Sequence, residues 1–573
     1  MEKKWWHSKI AYQIYPKSFY DTNGDGIGDL RGIIEKLDYI KSLGVGLIWI
    51  SPFYASPLAD QGYDISDYYA IDPRFGTLED LEELIFEGKK RDISIIMDLV
   101  VNHCSDEHEW FRDAVKDPCG EHGKFFYIEQ GKKDEATGAW MPPYNWRSYF
   151  GGYAWSPLPG WEKDGLFYLH SFHEKQPDLN WTNPALREEI YKMMNWWLDK
   201  GLGGFRIDAI VNIKKTEVFV DYKPDRPDGT AHVTRMIDEA EGVLELLNEM
   251  RDRTFAIHDA FSVGEVFNSK ADELRGFIGE NGCFSSMFGF DQVGCGSGGK
   301  GWWSDHEIDP DEYREKVFGG QLAAQAAGGF LSNIIENHDE PRGVSHFIPA
   351  AQLCDESKKM LAVFYYFLRG IPFIYQGQEL GMENTHFDSM EQVDDVSSHD
   401  EYEAALLWGA SPEQALAGVN RLSRDHTRTP FQWSDQEHAG FTTGTPWLAV
   451  NKNYVRINAK KQESDPNSVL NFYRKLGELH RRSELEDALV YGDFVPFGTD
   501  ESKLLAYYRV GTDKKVLILC NFSPRDKEVS LPTGDYRILL DNLDHEDVKQ
   551  GMMQCTESCL LKAHQALVLE VLN

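Results

Sequence analysis

Several features are scarce or missing in this chain of 573 residues, and each absence argues against a class of protein. No run approaches the roughly 18 apolar residues of a membrane helix, because the longest candidate, LAVFYYFL from Leu361, meets Arg369 after a few residues. Basic residues number only 59 against 93 acidic ones, and the formal net charge of -34 disfavours nucleic acid and anionic lipid as partners. The charged N-terminus, MEKKWWHSK, has no apolar segment behind it. We therefore expect a soluble cytoplasmic protein, without a membrane partner, that is a monomer or a weak oligomer.

Cysteine pairs with a redox or zinc-binding spacing are also missing. The eight cysteines are scattered and form no C-x-x-C pair, which predicts reduced, structural thiols. No His/Cys cluster has zinc spacing, and we expect no organic cofactor. Aromatic residues, in contrast, make up 13% of the chain, and such side chains can stack on the C–H faces of sugar rings.

Amphipathic helices alternate with short buried strands through the first half of the chain. Ile33, Leu37 and Ile40 repeat at helical spacing, Gly44 can end that helix, and VGLIWI then reads as a buried strand that stops at Ser51. The unit recurs before ISIIMDLVV and FRID, and resumes at FSVGEV, FLSNIIEN and GIPFIYQG. This alternation predicts an α/β fold, a (β/α)8 TIM barrel whose active site lies at the C-terminal ends of its strands.

Three segments depart from the alternation. Residues 104–175 are rich in Gly, Pro, Trp and Tyr and are too long for an ordinary loop, so we expect a subdomain inserted after strand 3. The barrel then covers residues 1–103 and 176–486, with an irregular acidic insertion at about 382–460. Residues 487–573 contain short strand-like runs separated by turns, which predict a C-terminal antiparallel β-sandwich.

Three carboxylates stand where apolar runs stop: Asp208 in GFRID, Glu265 in SVGEV and Asp339 in ENHDEPR. Strand ends of a barrel converge, so we expect these three acids to share one pocket. Arg206, two residues before Asp208 and on the same strand face, should keep that aspartate ionised, whereas the apolar neighbours of Glu265 should raise its pKa. One ionised and one protonated carboxyl group are what cleavage of a glycosidic bond requires.

The order of several motifs resembles that of a known family. DLVVNH (98–103), QPDLNW (176–181), GFRIDAI (204–210), VGEV (263–266) and ENHD (336–339) resemble the sequence blocks of glycoside hydrolase family 13, the α-amylase family. AYQIYPKSF, DTNGDGIGDLRGI, QGYDISDY and RTPFQW resemble its oligo-1,6-glucosidase and α-glucosidase branch. The resemblance implies that Asp208 is the nucleophile, Glu265 the acid/base and Asp339 the stabiliser of the transition state, with retention of the α configuration.

The same resemblance implies residues that bind the terminal glucose. Asp60, before the GYD segment, and Arg424 would form a clamp that closes one end of the pocket and imposes exo action. Tyr63 would be the stacking floor, with Asp64 beside it. The other residues that the resemblance places around the first sugar are Asp98, His103, Arg206 and His338.

The loop DTNGDGIGD carries oxygen atoms at alternate positions, a pattern that hard cations favour. The donors are Asp21, Asn23, Asp25, the Ile27 carbonyl and Asp29. The loop is not an EF-hand, because Gly32 stands where the bidentate acid would be. An ordinary Asp/Asn/Gly turn fits the bare sequence as well, whereas the family resemblance favours a structural Ca²⁺ or Mg²⁺ remote from the chemistry.

Two positions bear on the linkage that is cleaved. Members specific for 1,6 links usually have valine after the nucleophile, whereas this chain has Ala209, and Ser397 replaces an acid of the 1,6-acting relatives. QPDLN, in contrast, is usual in the oligo-1,6 group. We expect a retaining, exo-acting α-glucosidase for short oligosaccharides of the maltose and isomaltose type.

Other functions fit the same motifs. A strict oligo-1,6-glucosidase, a transglucosidase or isomerase of the same fold, and a trehalose-6-phosphate hydrolase stay open. A non-catalytic amylase-like partner of a transporter and a simple sugar-binding protein are disfavoured, because all three acids are present and no membrane anchor is found.

Overall fold

The computed structural model describes residues 2–267, 273–543 and 551–572. Its centre is a closed barrel of eight parallel strands, in which each strand pairs with its neighbours along the chain and the last pairs with the first. This arrangement confirms the predicted (β/α)8 barrel. The strands are β1 (Ala11–Ile14), β2 (Leu47–Ile50), β3 (Ser94–Leu99), β4 (Gly204–Ile207), β5 (Phe261–Gly264), β6 (Ser286–Phe288), β7 (Leu331–Asn333) and β8 (Gly370–Tyr375).

Burial on both faces explains why these strands read as continuous apolar runs. Trp49, Phe261, Phe288 and Phe373 pack together inside the barrel, and the alternate residues of the strands pack outward against the helices. Strand β6 escaped the sequence analysis, because it is only three residues long and has no extended apolar run around it.

Helices cover the outside of the barrel. They are α1 (Leu30–Glu35), α2 (Leu37–Ser42), α3 (Leu78–Lys90), α4 (Pro184–Asp199), α5 (Val243–Arg253), α6 (Leu274–Ile278), α7 (Pro310–Ala327), α8 (Asp355–Tyr366) and α9 (Val469–His480). The single helix predicted over residues 33–43 is two short helices that meet at Lys36, and Gly44 follows with a φ of 86°. Local signals start other helices: Thr77 and Asp80 form a capping box at α3, and Asn183 caps α4 ahead of Pro184.

The inserted subdomain follows β3 and has its own small core. Strands Ile128–Gln130, Trp155–Pro157 and Leu166–Leu169 form an antiparallel sheet. Its core also contains Val233 and Met236, and strand Ala231–His232 pairs with Trp146–Arg147. The sequence analysis gave residues 231–236 to the barrel, but they belong with the subdomain because they fill an aromatic core that lies far away along the chain.

The C-terminal region is an antiparallel β domain, as predicted. Its six-stranded sheet contains Asp493–Phe497, Leu504–Val510, Lys515–Asn521, Gly534–Asp541, Met552–Cys555 and Ala566–Val571. The second layer is a two-stranded ribbon of Lys527–Ser530 and Ser558–Leu561. The insertion at 382–460 contains helices Val396–Leu407, Pro412–Leu422 and Asp425–Arg428. No helix within the described ranges has the length and apolar character needed to cross a bilayer.

Candidate active site

The C-terminal ends of the strands bring the three predicted acids into one cavity. Asp208 directly follows β4 and Glu265 directly follows β5, whereas Asp339 lies on the loop six residues after the end of β7. All three side chains line a cavity of about 480 Å³. Asp208 is 8% exposed and Glu265 is 6% exposed, so both carboxyl groups are largely screened from bulk water.

Arg206 connects three carboxyl groups beneath this cavity. Its Nη1 lies 2.7 Å from Asp208 Oδ1 and 2.8 Å from Asp98 Oδ1, and its Nη2 lies 2.7 Å from Glu265 Oε1. The parallel register sets Arg206 opposite Asp98 on β3 and opposite Val263 on β5, which explains why one guanidinium reaches all three. Asp208 and Glu265 are thus held by the two terminal nitrogen atoms of one guanidinium group, which keeps the two carboxyl groups near each other.

The protonation of these groups differs from the expectation. Burial raises the pKa of both Asp208 and Glu265 to about 7 and that of Asp98 to about 6, although the Arg206 charge opposes each rise. The sequence analysis expected Asp208 to be ionised by its arginine and only Glu265 to be shifted. One cation cannot neutralise three buried acids, so near neutral pH the cluster retains a proton that belongs to the group as a whole.

Asp339 has the opposite surroundings. Nitrogen atoms of His338, Arg424 and Arg428 each lie 3.0 Å from its carboxylate. Although burial works in the other direction, His338 and the two arginines hold the pKa of Asp339 well below its usual range, so this acid is ionised. Burial lowers the pKa of His338 to about 4, and its Nδ1 pairs with the Gln13 amide at 2.9 Å. Arg428 was not among the predicted residues, although it lies within the RTPFQW block.

The predicted clamp is a larger network than a single ion pair. Arg424 Nη2 is 3.7 Å from Asp60 Oδ1 but only 2.6 Å from Asp395 Oδ1, so Asp395 is its direct partner. The Gln176 amide lies 3.1 Å from Asp60 and 3.0 Å from His103. Asp60, His103 and Arg424 all line the cavity and are linked to one another through these contacts.

The other predicted residues divide into two sets. Tyr63 lines the cavity, stacks on His338 at 5.2 Å and donates a hydrogen bond to Asp98 at 3.0 Å. Asp64 does not line the cavity; it accepts hydrogen bonds from the backbone of Ala59 and Asp60 and so fixes the turn that presents Asp60. Asp98, Arg206 and His338 are also fully buried beneath the lining, where they support the groups above them.

Comparison with known proteins agrees with this geometry. Residues 13–492 match the catalytic domain of the α-amylase family, and residues 496–570 match its C-terminal all-β domain. The chain belongs to the α-amylase family. It is therefore a glycoside hydrolase, and the predicted family resemblance is confirmed.

Relatives within this family have several specificities. The chain is 40% identical to the oligo-1,6-glucosidase of Halalkalibacterium halodurans, over 96% of each protein, and 38% identical to the trehalose-6-phosphate hydrolase of Bacillus subtilis, over 98% of each. Among solved structures, isomaltulose synthase from Klebsiella has a TM-score of 0.91 at 35% identity and covers 100% of both chains. These relatives share the family but are named for different reactions.

The cavity is also lined by residues that the sequence analysis did not predict to bind substrate. Phe267 and Phe290 stack with ring centroids 4.4 Å apart, and both line the cavity. Glu340 and Asp238 line it as well. Phe267 lies two residues after Glu265, and Glu340 directly follows Asp339. Their closeness in sequence to the predicted acids was the signal that could have identified them. Ala209 is held at a φ of 40°, a left-handed conformation, and its N–H donates to Glu265 at 2.8 Å.

The predicted metal loop of this family member is well ordered by its own hydrogen bonds. Asp21, Asn23 and Asp25 each accept one from the N–H two residues ahead, at 2.9–3.0 Å. Asp29 instead caps α1, accepting from Gly32 at 2.7 Å. Among the described residues no group of three His, Cys, Asp and Glu side chains is placed to hold a metal ion. The donor set also includes an amide and a carbonyl, so its all-oxygen chemistry still fits Ca²⁺ or Mg²⁺.

Proposed function

We propose that the protein is a retaining, exo-acting α-glucosidase that releases glucose from the non-reducing end of short α-linked gluco-oligosaccharides of the maltose and isomaltose type. The observation that carries this proposal is the charged network next to Asp339. Asp60 and Arg424 line the cavity, and Arg424 lies 3.0 Å from Asp339 and is held by the buried Asp395. In this proposal the network blocks that end of the cavity, so that a glucan chain has no exit there. A cavity of about 480 Å³ suits a short oligosaccharide rather than a long polymer.

In this proposal the proton shared around Arg206 permits a double displacement. Asp208 attacks the anomeric carbon as Glu265 gives its proton to the departing oxygen, which leaves a glucosyl ester on Asp208 and a free sugar. Glu265, now ionised, takes a proton from water as the water oxygen attacks the anomeric carbon; the ester bond to Asp208 breaks, glucose is released, and the Asp208 carboxylate and the protonated Glu265 are restored. The ionised Asp339 supplies a fixed negative charge for the oxocarbenium-like centre, and this charge need not reorganise during the reaction.

The products of hydrolysis test both the exo action and the retention. The enzyme should release glucose as the only monosaccharide from maltose, isomaltose and their trimers, and proton NMR of early time points should show the α anomer first. A series of long oligomers released from starch would contradict the blocked end. β-Glucose as the first anomer would contradict the covalent intermediate.

The network itself can be tested with Arg424→Lys, which keeps a charge but loses the planar fork that pairs with carboxylates. We expect kcat/KM for isomaltose to fall roughly 100-fold, mainly through KM. Arg456→Lys, a change at a mostly exposed arginine, is the matched control. An unchanged KM in Arg424→Lys would show that Arg424 and its carboxylate partners do not bind the substrate.

A transglucosidase or isomerase is a second candidate, and one observation favours it. The Phe267 and Phe290 stack forms an apolar surface in the same cavity as Glu265, where a departing sugar could be retained in place of water. Incubation with sucrose or with concentrated maltose separates the two functions. New disaccharide linkages exceeding free glucose would favour transfer, and glucose as the dominant product would favour hydrolysis.

The metal proposed for the DTNGDGIGD loop has a structural part in this scheme. Asp21, Asn23, Asp25, the Ile27 carbonyl and Asp29 would hold Ca²⁺ or Mg²⁺, which supplies positive charge to a cluster of acids. Thr442 donates a hydrogen bond to Asp21, and the Trp447 N–H lies 3.1 Å from the Gly26 carbonyl. The loop therefore fastens residues 442–447 to the start of α1.

A further inference from the structure

An ion pair joins the inserted subdomain to the insertion at 382–460. Arg226 Nη1 lies 3.1 Å from Asp400 Oδ1, and Arg226 Nη2 lies 2.9 Å from Asp400 Oδ2. The two side chains are 14% and 13% exposed, so the pair is largely shielded from water. A two-point contact of this kind fixes both the distance and the orientation of the groups that it joins.

The segment that contains Arg226 is tied to the subdomain by its preceding residue. The carboxylate of Asp225 accepts hydrogen bonds from Arg147 Nη1 at 2.7 Å and from the His232 N–H at 2.9 Å. The N–H of Asp225 donates to the Thr230 carbonyl at 3.0 Å, which closes a turn. Arg226 therefore starts from a fixed part of the subdomain.

Asp400 lies on the helix whose N-cap holds the clamp. Asp395 caps helix Val396–Leu407, and its Oδ1 lies 2.6 Å from Arg424 Nη2. Ser397, in the first turn of the same helix, lines the catalytic cavity. Asp400 comes three residues after Ser397, which is about one helical turn. An ion pair at Asp400 therefore sets the position of the turn that contacts both the cavity and the clamp.

A second part of the subdomain contacts Asp400 and Arg424. The Arg424 guanidinium lies over the Phe150 ring, 5.1 Å from its centroid, and Phe150 lines the cavity. Gly151, the next residue, has a φ of 83°, and a Cβ at this position would lie 2.0 Å from Asp400 Oδ1. While Arg226 holds the carboxylate of Asp400 there, only glycine fits, so this loop packs directly against the helix.

We propose that Arg226 is a positioning residue of the substrate site and acts through its pairing with Asp400. Asp400 holds the first turn of its helix, and Asp395 at the start of that turn holds Arg424 where it binds the terminal glucose. The inference rests on the proposed α-glucosidase function and deepens it. Arg226 does not itself line the cavity, so its loss should weaken the binding of glucose and leave the catalytic acids in place.

Three variants test this coupling: Arg226→Gln, Asp400→Asn and the two changes together. Each single change should raise KM for isomaltose roughly tenfold and leave kcat within about threefold, because the pair acts on binding through the clamp. The double variant should lose no more than either single variant, since both changes remove the same contact. KM for p-nitrophenyl α-glucoside should rise by a similar factor, because this substrate presents the same terminal glucose.

Two further variants separate positioning from a general loss of structure. Arg226→Lys keeps the charge and should recover most of the affinity, with KM within about threefold of the parental value. Arg253→Gln is the matched control, because it breaks a bidentate pair with Glu188 on the outside of the barrel, at 2.8–2.9 Å. This control should keep the parental KM and kcat.

Parental KM values in Arg226→Gln and Asp400→Asn would overturn the inference, and so would losses that add in the double variant. If Arg226→Gln does not fold, Asp400→Asn decides the matter, since asparagine keeps the shape of the aspartate. Failure of the proposed function has a different signature, because the parent enzyme would then release no glucose from either isomaltose or p-nitrophenyl α-glucoside.

Discussion

At the scale of single residues, the protonation of each acid depends on how many positive charges lie close to it. Arg206 contacts Asp98, Asp208 and Glu265, whereas Asp339 has two arginines and a histidine around it. The first cluster therefore retains a proton near neutral pH and the second does not. In the proposed mechanism this division provides a proton donor, a nucleophile and an ionised group within a single cavity.

Replacement of Asp208 tests its proposed role as the nucleophile. Asp208→Asn keeps the shape of the side chain and its contact with Arg206 but cannot form the ester, so kcat should fall at least about 1000-fold. Binding of a competitive inhibitor and the melting temperature should stay close to those of the parent. Asp199→Asn, at an exposed aspartate on α4, is the control. Substantial turnover by Asp208→Asn, beyond contamination by parent enzyme, would refute the role.

The shared proton predicts a bell-shaped dependence of kcat/KM on pH. With both pKa values near 7, activity should fall on the acid side as the pair gains a second proton and Asp208 is neutralised. It should fall on the alkaline side as the last proton leaves Glu265. With dinitrophenyl α-glucoside, whose leaving group needs no acid, Glu265→Gln should lose the alkaline limb. A flat profile between about pH 5 and about pH 9 in the parent enzyme would contradict a shared proton.

At the scale of elements, site residues at strand ends could be predicted from the sequence more completely than site residues on the loops and insertions. Asp208 and Glu265 could be placed from sequence because each directly follows a strand, and barrel strands point their last side chains at the site. Of the three residues of the clamp, the sequence predicted Asp60 and Arg424 but not Asp395. Asp60 and Arg424 carry a motif, but Asp395 caps helix Val396–Leu407 in the irregular insertion, where no periodicity indicates which side chain turns inward.

Removal of the proposed metal tests the loop between β1 and α1. If Ca²⁺ or Mg²⁺ fastens this loop, excess EDTA should lower the melting temperature by several degrees, since a ligand bound only to the folded state at 100 times its Kd contributes about 2.7 kcal/mol. Readdition of Ca²⁺ should restore it, and Asp25→Asn should weaken the response. An EDTA-treated protein with the parental melting temperature, together with no metal in elemental analysis, would eliminate the site.

At the scale of the whole molecule, the C-terminal domain is attached to the barrel by buried arginines. Arg509, which is fully buried on strand Leu504–Val510, donates to the Phe367 carbonyl at 2.8 Å and to the Gly492 carbonyl at 2.9 Å. Arg314 of α7 reaches the Leu504 carbonyl at 2.9 Å from the other side. These contacts join the end of α8 to the sheet, so the two domains should unfold together.

Loss of Arg509 should therefore lower the stability of the whole chain. Arg509→Met keeps much of the volume but leaves backbone carbonyls unpaired, at a cost of about 2–4 kcal/mol in the free energy of unfolding. Differential scanning calorimetry should show a single transition at lower temperature, and Arg525→Met on the surface should match the parent. Two separate transitions in the parent would show that the domains unfold independently.

The sequence by itself determined the barrel, the identity of its three acids and the antiparallel C-terminal domain, because hydrophobic periodicity and motifs next to strand ends are local properties of the chain. Only the tertiary structure decided which acids share Arg206, that Asp395 is the partner of Arg424, and that Val233 and Met236 complete the inserted subdomain. It also showed that Glu340 lines the same cavity as Glu265. Charge sharing and core packing depend on distances between residues that are far apart in sequence, and no local pattern encodes those distances.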